Sequence, residues 1–169
     1  MTGMLRGYIR AVDGVNYRIG RVAMYGIFVL MAILMWSSVS KTFFSPSLWT
    51  LEMAQFAMVA YYMLGGPYAI QMGSNVRMDL LYGEWSPRRK AQVDAITVLF
   101  LITYLGVMIW GGIESTMYSF KWGGERSPTA WQPYMWPIKC LMVFALMLML
   151  LQALSELAKD ILRIRGHAD

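Results

Sequence analysis

The side chains able to do chemistry in this 169-residue chain are few, and they stand apart from one another. Cys140 is the one cysteine, which excludes an internal disulfide and a paired-cysteine redox or zinc site. His167 is the one histidine and lies in the polar tail, so no pair of imidazoles is available for haem. No phosphate loop, zinc spacing or nucleophile with a neighbouring base occurs, and no catalytic, cofactor or metal residue is expected. Glu52, Glu114 and Lys139 are the ionisable residues nearest the apolar runs. Each falls within a turn or two of a run's end, where a long side chain reaches water cheaply, so an ion pair with a partner is their expected use. Gln55, Gln71, Asn75 and Gln152 are suited to hydrogen bonds between helices, and the sixteen methionines to packing.

What must position these residues is a set of membrane helices. With 57% hydrophobic and 15% charged residues, the chain is too apolar for a soluble domain of its length. Its excess of Lys and Arg lies beside apolar runs with no recognition motif, which argues against nucleic-acid binding. We expect an all-α integral membrane protein in one domain, with four transmembrane helices preceded by an amphipathic interfacial helix. Residues 4–20 form that first helix, with Leu5, Tyr8, Ile9, Val12, Val15 and Ile19 on one face. Arg6, Arg10, Asp13, Arg18 and Arg21 fall on the other, which suits anionic headgroups.

The spans are expected at about 22–40, 51–73, 95–113 and 135–154, with 155–169 as a tail. The first has about 19 uncharged residues, enough at 1.5 Å each to cross the hydrocarbon. Gly65, Gly66 and Pro67 should bend the second and let a neighbouring helix approach. Ser86 and Pro87 read as cap and first residue of the third helix. The connection 115–136 carries Trp122, Trp131 and Trp136 with three prolines nearby, an interfacial belt or a binding surface. Eleven of the fifteen Lys and Arg fall in the amino end, the 65–94 connector and the tail. Only Lys41, Lys121, Arg126 and Lys139 fall elsewhere, so both termini are expected to be cytoplasmic.

Three segments resemble a known family: GGPYAIQMGSNVRMDLLYGEWSPRRKAQVDA from Gly65, ERSPTAWQPYMWPIK from Glu125, and LLQALSELAKDI from Leu150. Together they look like the small membrane subunit (DctQ-type) of tripartite ATP-independent periplasmic (TRAP) transporters, over roughly Glu52 to Ile161. The carrying residues are Gly65 and Gly66, Val76 to Asp79, Glu125 with Ser127, and Trp131 through Trp136 to Lys139. Asn75 departs from the pattern, since many relatives have histidine there. The resemblance implies a bacterial inner-membrane complex that imports an organic acid with sodium. A periplasmic binding protein captures the solute, and a large membrane subunit, expected at one-to-one stoichiometry, carries it. This chain would be a non-enzymatic scaffold in the lipid, with Arg77 and Asp79 fixing the connector and Glu125, Trp131, Trp136 and Lys139 meeting a partner. The rival expectation is an independent channel or carrier built from copies of this chain.

Overall fold

The structure, a computed structural model, describes residues 2–73, 87–121 and 124–164. Five helices account for nearly all of them: α1 (Thr2–Met24), α2 (Gly26–Phe43), α3 (Thr50–Gln71), α4 (Pro87–Lys121) and α5 (Trp136–Ile164). Among the described residues there is no strand, only an isolated antiparallel bridge between Arg126 and Tyr134. The all-helical expectation is met. Helices α1 and α2 are nearly one rod. Tyr25 joins them in right-handed helical geometry, and Tyr25 N–H and Phe28 N–H bond back three residues to Val22 and Tyr25 carbonyls. This break falls a few residues beyond the expected division near Gly20.

Helix α3 folds back along that rod. The turn before it is tied by hydroxyls: Ser40 Oγ donates to the Ser45 carbonyl at 3.0 Å, and Thr50 Oγ1 donates to Ser37 Oγ at 3.2 Å. Further along the pair Gly26 lies against Tyr61 and Gly20 against Tyr68, and Gln71 Nε2 donates to the Asp13 carbonyl at 3.2 Å. Retreat along α2 and α1 is thus matched by advance along α3, as in an antiparallel hairpin. The helix continues through Pro67, which is fully buried, and stops at Gly73, whose φ of 62° is one that glycine adopts without strain.

Helix α4 starts at Pro87, the position expected for the first residue; its proposed cap Ser86 lies outside the described residues. It packs chiefly on α5, where Leu105 meets Leu146 and Ala153 in the buried core. Helix α5 also touches α3 and α1 and so is common to most of the bundle. It runs to Ile164, about ten residues past the expected end of the last span at 154. By length and composition three stretches can cross a membrane: Leu5–Phe43, Gln92–Lys121 and Trp136–Leu162. Helix α3 is not among them. Glu52, Gln55, Gln71 and its tyrosines and glycines dilute its apolar character, and it is flanked by α1 and α2 on one side and α5 on another.

The glycines predict graded effects. A Cβ on Gly20 would collide with the Tyr68 Cβ, which cannot move without moving α3. On Gly66 it would meet the flexible Met149 side chain, its terminal methyl foremost, and on Gly65 nothing within 4 Å. Overpacking of this kind costs about 1–3 kcal/mol, whereas Gly→Ala in an open helix position gains up to ~1 kcal/mol. In thermal unfolding of the purified protein in detergent, Gly20→Ala should lower the midpoint by several degrees. Gly66→Ala should change it little, and Gly65→Ala should leave it unchanged or raise it.

Candidate functional site

The polar side chains gather in two clusters, and α5 contributes to both. The first joins α1 to the later part of α5. Four residues of α5, Gln152, Ser155, Glu156 and Lys159, follow one another at helical spacing and form a single polar stripe. Opposite them on α1 stand Asp13 and Asn16. Gln152 uses its whole amide: its Oε1 accepts from Asn16 Nδ2 at 2.7 Å, and its Nε2 donates to Asp13 Oδ1 at 2.9 Å and to Glu156 Oε1 at 3.1 Å. Ser155 Oγ donates to the same Asp13 oxygen at 3.1 Å. Lys159 Nζ lies 2.7 Å from Asp13 Oδ2 and 2.7 Å from Glu156 Oε1, bridging both carboxylates.

Gln152 has no exposed surface and Asn16 only 1%. Each such group would cost several kcal/mol if buried alone, so mutual satisfaction is what allows the contact to exist. Asn16 Oδ1 and Gln71 Oε1 are the exceptions here, buried without a hydrogen-bond partner. On the near side Tyr8 Oη donates to the Leu151 carbonyl at 3.1 Å. That partner lies closer to the start of α5 than those of Asp13, so the first turns of α1 cross α5 rather than continue antiparallel to it.

This cluster corrects one expectation. Asp13 belongs to the face of α1 that turns inward with Asn16, Gly20 and Ala23, not to the charged outer face. Gln152 and Gln71 do serve as helix-to-helix bonds, as expected. Gln55 is exposed, and Asn75 lies outside the described residues. The missed residues carried a signal: polar side chains at i, i+3, i+4 and i+7 in an apolar helix, the last two of opposite charge, need a polar counterpart on another helix.

The second cluster ties the 124–135 segment across α4 and α5. Glu125 Oε2 accepts from Ser119 Oγ of α4 at 2.8 Å and pairs closely with Lys139 Nζ of α5, which also donates to Ser119 Oγ at 2.8 Å. The segment returns on itself, with Met135 N–H donating to the Glu125 carbonyl at 2.9 Å and Ser127 N–H to the Pro133 carbonyl at 3.0 Å. Gly124 has a φ of 89°, and the Tyr134 ring occupies the place a Cβ would need. Arg126 covers that ring at 4.8 Å and donates to its hydroxyl at 2.8 Å. The hydrogen bonds from Lys139 and Ser119 hold the Glu125 carboxyl below the usual carboxylate range.

Of the remaining sequence-selected residues, Trp131 and Trp136 are both 41% exposed, and Trp136 packs at 5.8 Å on Phe120. Glu114 accepts from Trp110 Nε1 at 2.8 Å within α4. Glu52, in the first turn of α3, is only 6% exposed, and its Oε2 is buried without a partner. It shares a helix face with Gly66, which meets Met149 of α5, and the start of a helix favours a negative charge there. Gly66 faces α5, whereas no described residue comes within 4 Å of where a Cβ on Gly65 would stand. Arg77 and Asp79 lie outside the described residues. Among the described residues no three His, Cys, Asp or Glu side chains are grouped to hold a metal. The clusters therefore consist of mutually bound groups, and their chemistry is the fastening of helices.

Two measurements check this. Lys159→Met strands the Asp13 carboxylate and should cost about 1–3 kcal/mol in detergent unfolding, allowing for the partial exposure of the pair. Asp13→Asn combined with Lys159→Met should cost less than the sum of the single changes. For the second cluster, Glu125 is ionised more readily folded than unfolded, so its stabilisation is complete above the usual carboxylate range. It fades as pH falls through the lowered value. The midpoint difference between wild type and Glu125→Gln should hold steady from pH 7 to about 5 and shrink below ~4.

No curated relative and no solved structure matches the chain. Residues 30–163 match the family described as tripartite ATP-independent periplasmic transporters, DctQ component. That stretch takes in α3, α4, almost all of α5 and both sides of the Glu125–Lys139 cluster. The chain belongs to the DctQ component family of tripartite ATP-independent periplasmic transporters, a family of transporter membrane components.

Proposed function

We propose that this chain is the small membrane subunit of a sodium-coupled transporter importing an organic acid. It anchors a large transport subunit in the bacterial inner membrane at a ratio of one to one. The observation that carries this reading is the disposition of charge: Asp13, Glu156 and Lys159 between the helices are bound to one another. A conduit needs groups free to meet its solute, whereas a scaffold needs groups that fix its shape. The outward faces of α2 and α4 fit the same role. Phe28, Met35 and Trp36 on α2 and Phe100, Val107 and Trp110 on α4 are exposed, a surface for lipid and for the helices of a partner.

In this reading α2, α3, α4 and α5 are the four spans, α1 carries the line of α2 on into the cytoplasmic interface, and both termini are cytoplasmic. Helix α3 spans by virtue of its neighbours, which bury Glu52 and Pro67 while Gln55 and Tyr62 stay exposed. Gly65 offers a thin surface toward the large subunit. Arg77 and Asp79 fix the cytoplasmic connector by pairing with each other or with the partner. The 124–135 segment, with Trp131 and Trp136 exposed, meets the large subunit or the docked periplasmic binding protein, and Glu125 and Lys139 set its shape from within.

Co-expression of this chain, tagged, with the large membrane protein encoded beside it should yield a stable one-to-one complex in mild detergent. A homo-oligomer indifferent to that neighbour would overturn the proposal. Within the complex, Glu125→Lys should reduce solute uptake at least several-fold without reducing membrane insertion. Adding Lys139→Glu to it should restore most of the loss, because the reversed pair can still close. If the double variant transports no better than the single one, Glu125 acts on a partner rather than on Lys139.

A further inference from the structure

One stripe of the first helical rod is exposed along its whole length. Arg10, Gly14, Tyr17, Arg21, Tyr25, Phe28, Ala32, Met35 and Val39 recur every three or four residues, and all nine are exposed. The stripe changes character once. As far as Arg21 it is cationic, with exposed Arg18 beside it and Arg21 lying 5.8 Å over the Tyr17 ring; from Tyr25 onward it is aromatic and aliphatic. Tyr25 stands only four positions after Arg21, about 6 Å of helix rise, comparable to the thickness of a headgroup layer. Arg10 and Arg18 have no ion-pair partner among the described residues, and the acidic residue of this helix, Asp13, is turned inward to Lys159. Gly14 leaves open space beside these arginines, with nothing within 4 Å of where its Cβ would stand.

From this arrangement we infer that the stripe is a binding site for an anionic glycerophospholipid of the cytoplasmic leaflet. Its phosphate is held by Arg18 and Arg21, one helical turn apart, with Arg10 adding positive charge on the same side, and its acyl chains lie along Tyr25, Phe28 and Met35. The charge pattern selects the occupant. A zwitterionic lipid brings its own cation to three arginines, whereas an anionic headgroup adds negative charge and gives the guanidinium groups paired oxygens to bind. A soluble phosphate would satisfy the arginines and leave the apolar half of the stripe unused. The site belongs to the first helices and depends on the chain residing in a bilayer, not on what the transporter carries.

The test is native mass spectrometry of the full chain in detergent micelles doped with equal amounts of phosphatidylglycerol and phosphatidylcholine. Wild type should retain phosphatidylglycerol in preference by about tenfold or more. The triple variant Arg10→Gln, Arg18→Gln, Arg21→Gln should bring that preference close to unity, while Lys41→Gln with Lys121→Gln should leave it intact. Inorganic phosphate at millimolar excess should not displace the lipid. Equal retention of the two lipids by wild type would overturn the inference, as would a triple variant that keeps its preference or displacement by phosphate. Should the triple variant fail to fold, each single variant in the same assay must lower the preference severalfold, and unchanged single variants would equally overturn it.

Discussion

Helices surrounded by hydrocarbon gain little by burying apolar surface against each other, because lipid is as good a neighbour as leucine. Their positions must be fixed by close backbone approach and by polar groups that no lipid can satisfy. Both devices converge here on α5. Near its start Lys139 closes on Glu125 and Ser119; toward its end Lys159, Gln152 and Ser155 close on Asp13. Between the two ends the contacts are apolar and tight, with Ala145, Leu146 and Ala153 buried and Met149 lying over Gly66. An apolar seam alone would permit α5 to slide or rotate. Polar groups at both ends remove that freedom, since any slip would leave a carboxylate or an amide buried without its partner.

The other contacts follow from that fixed axis. Helix α4 holds to it through the Leu105 layer, and α3 through Gly66. The α1–α2 rod is joined to α5 by the Asp13 network and to α3 by the glycines at positions 20 and 26. The rod thus has an occupied face and a vacant one, and the vacant face is where the cationic and aromatic stripe lies. Outward faces of α2 and α4 remain as the lateral surface of the bundle.

Much of this could be read from the residues. Apolar runs between charges located α2, α4 and α5, and the proline at 87 marked the start of α4. The spacing of Gly65 and Gly66 announced a close approach, though among the described residues only Gly66 makes it, because direction around a helix depends on where its neighbours stand. Three features were illegible. Asp13 stands among arginines in the sequence, and in a short amphipathic helix an acid between two faces can belong to either; Lys159, far along the chain, decides. Gly20 looked like a boundary residue, yet it is the tightest contact with α3. Glu125 and Lys139 were both recognised, but their pairing depends on the path of the intervening segment, which Gly124 and the Arg126–Tyr134 contact determine.

The hydrogen bonds from α1 to α5 join residues separated by 136 to 143 positions in the chain. Synthesis delivers these partners at opposite times. The amino-terminal helix leaves the ribosome first, so its aspartate and asparagine are without these partners until the last helix has emerged. The final turns of the chain thus complete the seating of the first, and a fully assembled subunit is distinguished from an unfinished one by the concealment of Asn16 and Asp13.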